Sequence, residues 1–310
     1  MNPKITIIIP VYNGARFLRR SIDSVINQTF TDWELIIVDD GSTDNSKEII
    51  MEYVIKDSRI KYYWELNSGT PAKPKNTGFK RARGQYIAYL DQDDEWLPEK
   101  LEKQLAVFAK YSNEKVGLVS CSAYTINEKG FPKAIPPATK KEVELIDLLN
   151  YNYIFSNSSV MIPAAVIKTI GDRDESKNMD YLEDWDMWVR IRAGEYVFKF
   201  VEEPLFNYMI HAGNVSRNIT KLKGVEMLIS FYKKHKQLYK DNNVEYLFLK
   251  TIGLTCALAG DGSRAREYYK KAIGIKKGYM IPYLGIILTY FGVRFTEFAI
   301  KLFGHISKKF

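Results

Sequence analysis

Over the first 120 residues the apolar positions switch between two periods. ITIII (5–9), ELIIVDD (34–40), IKYYWE (60–65), QYIAYL (85–90) and GLVSC (117–121) are short apolar runs of strand length, rich in β-branched and aromatic residues. Between them the apolar residues fall three or four apart. Leu18, Ile22, Val25 and Ile26 mark one helical face within 15–28. Ile49, Ile50, Tyr53 and Val54 mark another, after Ser42, Thr43 and Asp44, which offer N-caps. Leu101, Leu105 and Phe108 follow Pro98, which suits the first position of a helix. Strands parted by helix-length segments predict βαβ units, hence an α/β fold with a mainly parallel central sheet and helices on both faces. SSVMIP (158–163) predicts a further buried strand, KGFPKAIPPATKK (129–141) a loop, and YLEDWDMWVRI (181–191) a helix. Beyond about residue 220 the pattern is helical, with a turn at Gly260–Gly262. The reading is an α/β domain over 1–219 and a helical, basic C-terminal region over 220–310.

Composition leaves this picture in place: 46% hydrophobic and 26% charged residues over 310 positions supply a sizeable globular core. Cys121 and Cys256, far apart, make no disulfide framework or metal cluster and suit a reducing compartment. MNPKITIIIP has too short an apolar run for a signal peptide, so a cytoplasmic protein is expected.

Charge adds a partner. Residues 221–310 hold 17 Lys+Arg against 6 Asp+Glu, so the whole excess of the +8 chain sits there. Such a segment is either a solvated lysine-rich face or the complement of an anionic partner. GYMIPYLGIILTYFGV (278–293) is sixteen residues without a charge, short of the ~20 that span a bilayer. Its apolar stripe continues at three- and four-residue spacing through Ile281, Leu284, Leu288, Phe291, Phe295, Phe298 and Leu302, beside Arg294, Lys301, Lys308 and Lys309. That combination suits a helix lying in a membrane interface, and so a peripheral position on the inner face of the cell membrane; a homodimer seam is the other use for such a stripe. Basic residues interleaved with apolar ones fit lipid better than a nucleic-acid phosphate track.

In a parallel sheet, ligands bind beyond the carboxyl ends of the strands. Three polar clusters fall on that rim: Pro10–Asn13, Asp39–Ser42 and Asp91–Asp94. There is no G-x-G-x-x-G and no GxxxxGK[ST], so neither a dinucleotide fingerprint nor a P-loop is present. Asp91, Asp93 and Asp94 crowd the end of an apolar strand, where like charges cost stability unless a cation is shared. Hard oxygen ligands on a rim suit Mg2+ or Mn2+, whose remaining positions a diphosphate and water would fill. The competing explanation, an acidic cap on the helix near Pro98, covers Asp94 and Glu95 but not Asp91 and Asp93.

PVYNG (10–14), ELIIVDDGSTD (34–44), NSGTPAKPKNTG (67–78), ARGQYIAYLDQDDEW (82–96) and LEDWDMWVRI (182–191) together resemble, in order and spacing, the inverting family 2 glycosyltransferases of the GT-A fold. The resemblance covers roughly residues 3–215 and implies transfer of a sugar from a nucleotide diphosphate donor, often a UDP-sugar, to an acceptor hydroxyl with inversion. It implies roles residue by residue. Tyr12 would pack on the nucleotide base beside Pro10, with Asn13 and Ser42 on the same rim. Asp40, with Asp39, would accept from the base N–H. Asp91 and Asp93 look like the DxD motif, Asp93 as principal metal ligand and Asp91 toward the ribose or sugar, while Asp94 supports the loop. Asp184 aligns with the catalytic base. His211, in a Y-x-x-H context, would complete the metal shell or contact the diphosphate, and Lys75 and Arg217 are phosphate candidates.

Two segments depart from the family pattern: TPAKPKN (70–76), where relatives carry A-R-N, and GDRDE (171–175), where they carry G-G-F-D. The implied acceptor is a lipid-linked or cell-surface glycan. The rival readings are a sugar nucleotidyltransferase, whose G-x-G-x-R-type loop PVYNGARF does not supply, and an inactive nucleotide-sugar-binding membrane scaffold.

Overall fold

The computed structural model describes residues 2–126, 132–135, 140, 142–211 and 220–297. Its contacts divide the chain into two units, Met1–Asn214 and Val215–Phe310. Along the first unit run β1 (Ile5–Val11), α1 (Leu18–Ile26), β2 (Trp33–Asp39), α2 (Ser46–Lys56), β3 (Ile60–Trp64), α3 (Ala72–Arg81), β4 (Tyr86–Tyr89), β5 (Glu95–Trp96), α4 (Lys100–Lys110), β6 (Val116–Ile126), β7 (Pro132–Ile135), α5 (Leu145–Leu148), β8 (Met161–Pro163), α6 (Ala164–Ile170), α7 (Glu183–Ala193) and β9 (Val197–Met209).

One sheet takes in all nine of these strands, in the order β3-β2-β1-β4-β8-β6-β9-β5, with β7 paired to β6. β1 is parallel to β2 and to β4, β2 to β3, and β6 to β9. β8 lies antiparallel between β4 and β6, so β6 points the same way as β4 and six strands share one direction. The expected strands at 5–9, 34–40, 60–65, 85–90 and 117–121 therefore all lie in the parallel set. β1 and β2 are buried along nearly their whole length, which is why they read as unbroken apolar runs rather than alternations.

Among the elements that lie where the pattern gave no signal are α3, β7 and β9. α3 begins within TPAKPKN because its prolines stand where a helix tolerates them. Pro71 is the N-cap and Pro74 falls in the first turn, where backbone N–H groups have no intrahelical partner to lose. Gly78 then lets α3 seat directly on β1, since a Cβ there would meet Ile8 Cγ2 at 2.6 Å. β9 alternates poorly because its middle, around Glu202 and Glu203, is exposed. β7 occupies 132–135 inside the expected loop; among the flanking residues of that loop only Lys140 lies within the described set.

At the amino-terminal ends of the strands a buried carboxylate is fully used. Glu34 accepts from the Thr6 hydroxyl at 2.7 Å and from the Arg83 backbone and guanidinium at 2.7–2.9 Å. An open cleft of about 810 Å³ lies there, lined by Trp33, Glu34, Arg59, Tyr63, Arg81 and Arg83 among others. Arg59 in turn is held by Asp57 at 2.7 Å. The carboxyl ends carry the other chemistry.

The second unit contains α8 (Lys221–Asp241), α9 (Glu245–Leu258), α10 (Gly262–Ile275) and α11 (Ile281–Leu288). Phe231, Tyr239 and Phe248 form its aromatic core between α8 and α9. The expected turn is present: Gly260 has φ +84°, and Asp261 caps α10 by accepting from the Arg264 N–H at 2.9 Å. Among the described residues no helix is long and apolar enough to cross a membrane.

Candidate active site

β2, β1 and β4 are neighbours, so the three polar clusters that follow them meet on one rim. After β1, Tyr12 leaves its ring half in solvent, 50% exposed. Its backbone is clamped by Gln92, whose Oε1 accepts from the Tyr12 N–H at 2.9 Å and whose Nε2 donates to the Tyr12 carbonyl at 3.1 Å. Pro10 is partly buried within β1. Asn13 sits at φ 49°, and its side-chain oxygen accepts from the Thr43 N–H at 2.8 Å. The Ser42 hydroxyl accepts from the Asn13 N–H at 2.9 Å. The first and second rim loops are thus stitched together by short polar side chains.

After β2, Asp39 accepts from the Ser42 N–H at 2.8 Å and from the Tyr62 hydroxyl at 2.9 Å. Asp40 accepts from the Ser68 N–H at 2.9 Å and from its hydroxyl at 3.0 Å. Burial raises the Asp40 pKa above the ordinary carboxylate value, with the Ser68 hydrogen bonds opposing. Gly41, φ +75°, leaves no room for a Cβ, which would lie 2.7 Å from the Asn67 nitrogen. Both carboxylates are fixed in direction and keep lone pairs for a ligand.

After β4 the three aspartates divide. Asp94 is buried and accepts from the Ser158 hydroxyl at 2.6 Å and the Met209 N–H at 3.2 Å. Burial, then Asp93 and Asp91, push its pKa well above the usual range. It ties the loop to β9, as expected. Burial also raises Asp91, with Lys75 opposing and Asp93 adding to the rise. Asp93 reaches outward, and its Oδ2 lies 2.8 Å from His211 Nε2. The His211 ring stacks on Phe17, with centroids 4.5 Å apart. Among the described residues no three His, Cys, Asp or Glu side chains converge as a metal-holding group, so Asp91 does not complete a triad with Asp93 and His211. A carboxylate and an imidazole still fit a cation that takes most of its ligands from phosphate and water. Burial is the main cause of the raised pKa values of Asp91 and Asp94, and the neighbouring Asp93 charge adds to both, an addition that such a cation would relieve.

Facing this rim is the start of α7. Asp184 is half-buried in its first turn, and one carboxylate oxygen accepts from the Trp185 N–H at 2.5 Å. Burial and then the Glu183 charge push its pKa up to about 7, with Lys75 and Arg173 opposing. Glu183 is fully buried and accepts from the Lys75 ammonium at 2.9 Å, with an Arg173 guanidinium nitrogen at 3.8 Å. Burial alone would raise Glu183, but Lys75 and Arg173 outweigh it and hold its pKa below the ordinary value. Burial pulls the Lys75 ammonium down, and Glu183 and Asp91 more than offset that.

Lys75 is therefore not an open phosphate ligand. Its buried charge is shared between Asp91, after β4, and Glu183 and Asp184 on α7. Replacing Lys75 by Met is expected to destabilise the fold by roughly 3–5 kcal/mol, because a buried carboxylate is left with one distant partner. The check is the urea midpoint at unchanged slope, with recovery in the Lys75→Met/Glu183→Gln pair; an unmoved midpoint in the single variant rules out the buried pair.

Several participants gave no sequence signal. Gln92 sits inside the acidic motif yet serves Tyr12. Arg173, in the departing GDRDE segment, is buried over the rings of Tyr89 (4.5 Å) and Trp188 (5.6 Å) and donates to Asn157 at 2.9 Å. Glu183 pairs with a lysine 108 positions away. Arg217 lies outside the described residues.

Residues 6–165 match the family model described as glycosyl transferase family 2. An uncharacterized glycosyltransferase of Rickettsia typhi, RT0329, is 32% identical over 238 residues, 75% of this chain and 72% of that protein. TarS 1–349 of S. aureus, solved in complex with UDP-GlcNAc, matches with a TM-score of 0.60 at 18% identity over 93% of this chain and 89% of that one. The mannosyltransferase PcManGT of Pyrobaculum calidifontis, solved with GDP-Man and Mn2+, matches with a TM-score of 0.58 at 15% identity over 92% and 79%. The solved structures share the GT-A architecture of this sheet, and the family model spans half of the chain, including the rim of β1, β2 and β4. With that span and the RT0329 identity in agreement, the chain belongs to glycosyl transferase family 2.

Proposed function

We propose that the protein is an inverting, metal-dependent glycosyltransferase moving a sugar from a nucleotide diphosphate donor, a UDP-sugar, to a hydroxyl of a lipid-linked or cell-surface glycan. One observation carries the reading. A carboxylate with pKa about 7, Asp184, and the DxD aspartate Asp91 share one buried lysine. A donor-side acid cluster and a proton acceptor are thereby tied to one residue of α3. TarS and PcManGT, with their UDP-GlcNAc, GDP-Man and Mn2+ complexes, support the class of donor and metal.

In this reading the Tyr12 ring stacks on the base, and Asp40, with Asp39, accepts from its N–H. Asp91 faces the ribose or sugar. Asp93 and His211 would hold Mn2+ or Mg2+, which when bound supplies a Lewis acid for the charge on the departing diphosphate. Asp184 takes the acceptor hydroxyl proton as the acceptor oxygen forms its bond to the anomeric carbon and the carbon–diphosphate bond breaks. A single displacement needs one such base and leaves the anomeric carbon inverted. A lipid-linked acceptor would put the enzyme at the inner face of the cell membrane, in the cytoplasm.

The test is a panel of nucleotide sugars with Mn2+ or Mg2+, scored for thermal stabilisation and slow release of free nucleoside diphosphate. Metal-dependent stabilisation by one donor, with release of its diphosphate, is the expected result. Pyrophosphate in place of UDP would point to a nucleotidyltransferase. Donor binding without turnover, with any acceptor or with water, would point to an inactive scaffold.

A further inference from the structure

A helix with one apolar face ordinarily turns that face inward. α11, IPYLGIIL, carries no charged residue on any face, yet its larger side chains stay outside. Its buried positions are Pro282 and Gly285, and a Cβ on Gly285 would lie 2.4 Å from the Tyr269 ring. Small residues thus let the helix seat closely, while its larger ones face solvent: Ile281, Leu284 and Ile287 are 54, 40 and 54% exposed. At about 100° per residue Leu284 and Ile287 are turned away from Pro282 and Gly285, with Ile281 at the edge of the same face. The apolar surface continues through Met280, Phe291 and Phe295, all exposed, the last two with rings 5.1 Å apart. Phe298, Lys301, Leu302, Lys308 and Lys309 lie outside the described residues.

Charge says what covers this face. From Tyr268 to Thr296 the sequence has no Asp or Glu, whereas Lys270, Lys271, Lys276, Lys277 and Arg294 are all exposed. A protein seam of this kind would ordinarily carry both signs at its rim. The bordering acids are paired, Glu267 with Lys271 at 2.6 Å and Glu297 with Lys221 at 3.0 Å, so the exposed apolar side chains are flanked mainly by cations, which matches a phospholipid surface, the apolar groups entering the acyl boundary and the cations meeting headgroup phosphates. Eight residues of helix cannot span a bilayer, so the helix lies in its plane.

We propose that α11 and the turn after it form the docking surface by which the protein binds an anionic phospholipid bilayer. This deepens the membrane placement given above. Its test requires no sugar transfer, so either reading can fail without the other.

The experiment floats the full chain with phosphatidylcholine vesicles, plain or containing about one-third phosphatidylglycerol, in about 0.1 M and about 1 M salt. The protein is expected to float with the anionic vesicles at low salt and to bind several-fold less at high salt. The Ile281→Ser/Leu284→Ser/Ile287→Ser variant is expected to bind at least about tenfold less, with an unchanged circular dichroism spectrum because those side chains are already in water. Lys276→Gln/Lys277→Gln is expected to weaken binding only to the anionic vesicles. Wild-type protein that stays at the bottom of the gradient overturns the proposal, as does a triple variant that floats as well as wild type. A wild-type dimer that the triple variant dissolves, with no flotation, makes the face a self-association seam instead.

Discussion

Asp184→Asn is expected to lower kcat by roughly 10³-fold while leaving metal-dependent stabilisation by the donor intact, as loss of a general base does. The argument rests on its surroundings. Burial and Glu183 push Asp184 up to about 7, which makes it basic enough to take a proton from a hydroxyl near neutral pH while still ionised. The active form is the deprotonated one. Wild-type kcat/KM for the acceptor should therefore fall about tenfold per pH unit below about 7 and level off above it. A variant rate that retains this limb would assign the base elsewhere.

The same residue makes an independent stability prediction. An unfolded Asp titrates near ~3.9, and folded Asp184 near about 7. Between these values the native state holds a proton that the unfolded state has lost. Stability attributable to this group is thus fully present below the lower value and lost as pH rises through the upper one. Asn carries no charge at any pH. The variant should match wild type near pH 4 and exceed it by on the order of 1–3 kcal/mol at pH 8. A less active and more stable enzyme at pH 8 is the signature of a functional carboxylate held against its own preference; a structural cap on α7 would lose stability on substitution instead.

How much of this could be read beforehand follows from what each feature depends on. Strands β1, β2 and β4 are buried on both faces, so their apolar runs announce them, and the acids at their ends inherit a position from the sheet. α3 was hidden by Pro71 and Pro74, because the composition rule against proline applies to a helix interior and not to its first turn. β9 was hidden by Glu202 and Glu203, whose exposure breaks the alternation, and by Pro204 beside them. At the site, Asp93 and Asp184 stood out through the family resemblance, since acids at a strand end or a helix start also serve as caps; the structure adds the 2.8 Å approach of Asp93 to His211 and the raised pKa of Asp184. Lys75 could not be placed in this way. A lysine in sequence is a surface cation by default, and only the burial of its ammonium beside Glu183, 2.9 Å away, makes it a buried counter-ion. The same holds for Arg173, whose aromatic neighbours Tyr89 and Trp188 lie far from it in sequence.

Asp93→Ala is expected to abolish stabilisation by metal plus donor and to lower kcat/KM by at least about 100-fold, the scale of losing a group that supports charge in the transition state. His211→Gln should cost less, about 10–100-fold, the range for a residue that orients or assists a metal ligand. The 2.8 Å between Asp93 and His211 admits two explanations, and the double variant separates them. If both hold one cation, removing the second after the first changes little, and the pair is strongly non-additive in the metal response. If the two merely hydrogen-bond each other to brace the loop, the coupling appears in the unfolding midpoint instead, and each single variant keeps the wild-type dependence of rate on Mn2+ concentration. Asp91 and Asp94 favour the first outcome. Both are held above the ordinary carboxylate range, chiefly by burial and further by Asp93, and a loop built only for stability would have no reason to gather three acids where a single one, Asp94, already makes the anchoring hydrogen bonds to Ser158 and Met209.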